Sequence, residues 1–145
     1  KAYEKISEQY EKGEKIARSG EKEVEKGKDL VEDGRKDVKR GEEMIRAGNI
    51  QIQRSKANYA DVTGTTPNFN DPAMINSDAR NLRVIARQWQ DGIESVEKGQ
   101  ERIEKGNEKI KKGEKRIREG NKELNKGNDL MRRAESDYKS RRSAI

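Results

Sequence analysis

The sequence predicts an all-α protein, two long helices folded back on each other as an antiparallel coiled-coil hairpin. Three observations carry this. Twelve of the thirteen glycines stand seven residues apart in two runs of six, Gly13 to Gly48 and Gly92 to Gly127. An apolar side chain follows nearly every one of them by four residues. Between the runs lies one short segment of turn formers, Thr63-Gly64-Thr65-Thr66-Pro67-Asn68-Phe69-Asn70.

Only 28% of the residues are hydrophobic and 43% are charged, a composition that would ordinarily indicate disorder. A disordered chain has no reason to hold apolar residues in phase over successive heptads. A narrow seam between two helices needs only about two apolar or small residues in seven. The composition therefore fits a rod, and the whole of 1–145 is read as one helical hairpin.

The first helix is expected over 3–63. With glycine at heptad position d, position a reads Tyr3, Tyr10, Ala17, Val24, Val31, Val38, Ile45, Ile52 and Tyr59. Gly64 is expected to end this helix as a C′ residue, opening a tip loop over 64–71. Asp71 followed by Pro72 forms an N-cap and N1 pair for the second helix, expected over 72–140. There position a reads Ile75, Leu82, Trp89, Val96, Ile103, Ile110, Ile117, Leu124, Met131 and Tyr138. Each helix would be about 90 Å long at about 1.5 Å per residue, and a short connection between them favours an antiparallel return.

Close packing predicts a register in which each glycine faces a larger side chain. Folding about the loop places Val24 opposite Gly113 and Val31 opposite Gly106, with facing numbers that sum to about 137. A register of about 140 stacks glycine on glycine and is expected to leave voids. Glycine inside a helix costs about 0.8–1 kcal/mol relative to alanine. What offsets this is close approach of the backbones, with dispersion and Cα–H···O contacts along the seam. The packing resembles the Alacoil, a tight antiparallel coiled coil with alanine at alternate seam positions, here with glycine in alanine's place. That resemblance concerns packing geometry and implies no activity.

Cysteine and histidine are absent, which excludes disulfides, thiol chemistry, the usual zinc sites and any histidine base. No phosphate-binding glycine loop is present, because these glycines recur in sevens within helices. A thin two-helix rod offers no water-excluding pocket. The expected function is accordingly non-enzymatic, without cofactor or metal: a structural or adaptor rod that mediates assembly or presents its tip to a protein partner. No stretch approaches the roughly 18 apolar residues of a membrane span. The chain begins at Lys1 without methionine, pointing to removal of an N-terminal segment. Together with the lack of cysteine this leans toward a bacterial periplasmic or extracytoplasmic location.

Three sets of residues are candidates for binding. At the tip, Thr65, Thr66, Asn68, Phe69 and Asn70 form a polar loop with one aromatic anchor, although Phe69 would equally cap the seam by packing on Val62 and Ile75. Along position g, Ile16, Leu30 and Met44 repeat every fourteen residues and could dock a second hairpin as a homodimer. Shielding of the seam's own edge is the competing account. Toward the C-terminus, Arg132, Arg133, Lys139, Arg141 and Arg142 concentrate the excess of a chain of net charge +6. They define the alternative function, binding of an anionic polymer such as a nucleic acid or a cell-envelope polysaccharide or lipid surface. The aromatics Tyr3, Tyr10, Tyr59, Trp89 and Tyr138 all lie at position a and are assigned to the seam. Gln100, Asn107, Asn121 and Asn128, at position e, are expected to hydrogen-bond across the closely spaced backbones or to reach charged residues of the facing helix.

Overall fold

The computed structural model describes residues 1–64 and 71–144. Two helices, α1 (Ala2–Gly64) and α2 (Pro72–Ser143), pack against each other antiparallel. The packing divides the chain into two compact units: Lys1–Arg35 with Glu108–Ile145, and Lys36–Asn107.

α2 starts where Asp71-Pro72 predicts. The Asp71 carboxylate Oδ1 accepts the Ala73 amide at 3.0 Å, and the Asp71 carbonyl accepts the Met74 amide at 3.1 Å. Proline at N1 has no amide to satisfy. Replacing Asp71 by alanine is expected to cost about 0.5–2 kcal/mol, read as faster amide exchange confined to the first turn of α2. Exchange unchanged at Ala73 and Met74 would show that the carboxylate does not cap. α2 runs three residues beyond the expected end, to Ser143. Arg141 and Arg142 lie in this last turn, where cations complement the carbonyl end of the helix dipole.

Gly64 departs from expectation. It is the last residue of α1, and no glycine among the described residues has positive φ. A missing Cβ permits the left-handed cap without requiring it. Here the helical path continues through Thr63, whose hydroxyl donates back to the Tyr59 carbonyl at 2.8 Å.

All twelve heptad glycines are buried, whereas most position-a side chains are only half-buried. The seam is therefore centred on position d, with a on one side and g on the other. In the unit of the chain ends, the site a Cβ would occupy at Gly13 lies 2.7 Å from the Gly127 carbonyl oxygen. The corresponding distances are 2.6 Å from Gly20 to Gly120 and 2.6 Å from Gly27 to Gly113. In the tip-side unit, Gly41 meets the Gly99 oxygen at 2.5 Å and Gly48 meets the Gly92 oxygen at 2.7 Å.

These pairs overturn the expected register. Each sums to 140, so glycine does stand against glycine. No void results, because the backbones close until a carbonyl oxygen fills the place of the missing Cβ. Approach this close makes Cα–H···O contacts available. The large side chains complete each layer one step along. Gly27 lies against Ile117, Gly113 against Val31, Gly41 against Ile103 and Gly99 against Ile45, all summing to 144. The principle of glycine facing a large residue thus survives, displaced by one heptad from the expected 137.

Beyond each glycine run the same register sets a small d residue against a large one. Ala134, 1% exposed, falls opposite Ile6, and Ser55, 1% exposed, falls opposite the buried Ile85. The Ser55 hydroxyl is satisfied within α1 by the Gln51 carbonyl at 2.8 Å.

Candidate functional site

The predicted tip residues Thr65, Thr66, Asn68, Phe69 and Asn70 lie outside the described residues. The helix ends that flank them are described, and they differ from the arms. No glutamate occurs between Glu43 and Glu94, and Lys56 is the sole lysine between Lys39 and Lys98. Exposed large apolar side chains gather in the same region: Ile50, Tyr59, Met74, Ile75 and Val84, each roughly half exposed. On the a/e side, α2 places Ala79, Ala86 and Ile93 at e positions that Gln100, Asn107, Asn121 and Asn128 occupy further along. Sequence inspection that stopped at the turn segment missed these side chains, which are spread over several helix faces. Their signal was the change at e from amides to alanine and isoleucine, together with the gap in glutamate.

In the tip-side unit the chain's single tryptophan is held by two partners. Tyr59 and Trp89 pack edge to face with ring centroids 6.5 Å apart, and the Lys56 ammonium lies 5.7 Å from the Trp89 ring centroid. In the unit of the chain ends, Tyr3 and Tyr138 form a similar pair at 5.9 Å. The aromatics belong to position a, as expected. Tyr3, Tyr10, Tyr59 and Tyr138 are nevertheless 38–49% exposed, since position a flanks the seam and does not lie at its centre. Changing Lys56 to methionine is expected to preserve the fold and alter the emission of Trp89, through loss of a cation over its ring. Unchanged emission would show that the lysine makes no such contact in solution.

Ile16, Leu30 and Met44 are half-buried along the g edge of the hairpin. Between them stand the acidic g residues that reach α2. Asp37 meets Arg102 with Nε to Oδ1 at 3.4 Å, and Glu23 meets Arg116 at 4.0 Å. Further along the same edge Gln51 Nε2 donates to the Gln88 carbonyl at 2.8 Å. Partly exposed pairs of this kind contribute little stability each, but they occur only where the numbers match. The sequence reading missed this alternation of apolar and charged g residues. It also missed Leu130, the g residue of α2 whose Cβ lies 2.9 Å from the Cβ site of Gly13.

Of the C-terminal cations, Arg132 pairs with Asp129 one turn earlier, and Arg133, Lys139, Arg141 and Arg142 are exposed. Gln100, Asn107, Asn121 and Asn128 are exposed as well. Concavities between the helices, such as that lined by Ala47, Ile50, Gln51, Arg54 and Asn58, are open grooves. Among the described residues no group of three acidic side chains converges as a metal site, and no helix is long and apolar enough to cross a membrane.

The chain matches no protein family model, no curated protein and no solved structure.

Proposed function

We propose that this chain is a non-enzymatic structural or adaptor protein, a glycine-packed, Alacoil-like coiled-coil hairpin that presents its tip to a protein partner. The observation that carries this is the segregation of surface types. Exposed large apolar side chains stand near the tip and near the chain ends, while the glycine-run arms present charge. Interaction surfaces are commonly depleted in Lys and Glu and enriched in aromatic and apolar residues, and loops on rigid supports commonly carry binding function. Self-association along the g edge through Ile16, Leu30 and Met44 belongs to the same reading, since a two-helix seam shields its edge poorly.

Scattering mass measured across protein concentration tests the self-association. A two-chain mass that reverts to one chain when Ile16, Leu30 and Met44 become glutamine supports the g-edge dimer, and a one-chain mass throughout removes it. For the tip, the test is a partner retained by the intact chain and lost when residues 65–70 are scrambled. Retention by the scrambled chain would move the binding site elsewhere.

A further inference from the structure

Sorted by helix face, the charge of the unit formed by the chain ends is strongly one-sided. Positions b, c and f point away from the seam, and all of them are exposed between Lys111 and Ser140 of α2. Of those fourteen positions nine are Lys or Arg and two, Glu119 and Asp129, are acidic. The fourteen equivalent positions of α1 between Glu4 and Asp33 carry six cations and seven anions. The back of α2 is thus a basic stripe about 42 Å along the helix, with no counterpart on α1.

We propose that this stripe, from Lys111 to Lys139, adsorbs to the headgroup plane of an anionic lipid surface. The face is convex and carries three parallel rows of flexible cations. A plane accepts all three rows at once, because lysine and arginine stems extend to bring their charged ends to a common level, whereas a single extended strand follows one row. The uncharged members of the face are Asn125, Ser136 and Ser140. It therefore has no aromatic platform for stacked bases and no apolar side chain to enter the hydrocarbon. Binding is electrostatic and lies at headgroup depth, where clustered basic residues are drawn by acidic lipids. It is independent of the tip reading and extends the C-terminal cation cluster into a continuous surface.

The test is flotation of the full chain with vesicles of phosphatidylcholine alone or with about one third phosphatidylserine, at low and high salt. The chain is expected to float only with the acidic vesicles and to be released by salt. Changing Lys111, Lys115, Lys122 and Lys126 together to glutamine is expected to reduce partition by more than about tenfold. The same four changes at Lys5, Lys12, Lys15 and Lys22 of α1 remove equal charge and should leave most of the binding. Glutamine and lysine have similar helix propensities, and a thermal melt verifies that both variants are folded. Failure to float with acidic vesicles overturns the proposal, and so does equal loss in the two variants, which would reduce the effect to net charge. Tighter binding to duplex DNA or heparin than to the acidic vesicles, at the same ionic strength and anion concentration, would make a linear polyanion the ligand and overturn it too. Scrambling residues 65–70 should leave flotation unchanged, so the tip reading and this one fail separately.

Discussion

Replacing Gly113 by alanine is expected to lower the melting temperature by several degrees, although alanine is the better helix former. The added Cβ would lie 2.5 Å from the Gly27 carbonyl oxygen and 2.9 Å from the Val31 amide nitrogen. Both obstacles are backbone atoms, so no side-chain rotation relieves them and the helices must separate locally. Overpacking of this kind costs about 1–3 kcal/mol, against about 1 kcal/mol gained in propensity. The net loss, up to about 2 kcal/mol, corresponds to as much as roughly 8 °C. Gly64 supplies the control: nothing lies within 4 Å of its Cβ site and its φ is not positive, so alanine there should leave the melting temperature level or raise it. A rise of the same size at both positions would mean that the glycine seam is not in close contact.

The second large effect concerns register and is nearly all-or-none. The chain has no cysteine, so introduced thiols report without background. Cysteines placed at Asp37 and Arg102 should be joined efficiently by a short bis-maleimide, since these side chains meet across the g edge. Cysteines at Asp37 and Ser95 test the register one heptad away and should be joined far more slowly, being displaced by about 10.5 Å along the axis. Preferential joining of the second pair would restore the register in which Val31 faces Gly106.

That register marks the boundary of what the residue pattern makes legible. The two helices, the Asp71 cap and the buried glycine line follow from local rules, and those rules locate them to within three residues. Register is different, because a seam that repeats every seven residues satisfies glycine-against-large at any offset of seven. The choice depends on residues that break the repeat. At 140, Glu23 and Asp37 both meet arginines across the g edge, and the aromatic pairs Tyr3–Tyr138 and Tyr59–Trp89 close. One heptad away, Glu23 would still meet a cation, Lys109, but Asp37 would fall opposite Ser95 and lose its pair. Judging glycine opposite glycine as a void also treated backbone spacing as fixed, when spacing is what the absent Cβ releases. The basic back of α2 was hidden for a related reason. Lysines and glutamates alternate along the sequence, and they separate only when read around the helix.

A seam whose layers recur every seven residues also makes helix length a variable that inheritance can change cheaply. Deleting seven codons from α1 and the matching seven from α2 would shorten the helices by about 10.5 Å each and leave every remaining layer as it was. A deletion in one helix alone would bring Glu23 or Asp37 to the wrong partner. In such a molecule the glycines behave like the even divisions of a ruler, and the few arginine–carboxylate and aromatic pairs are the printed numerals that say where along it one is.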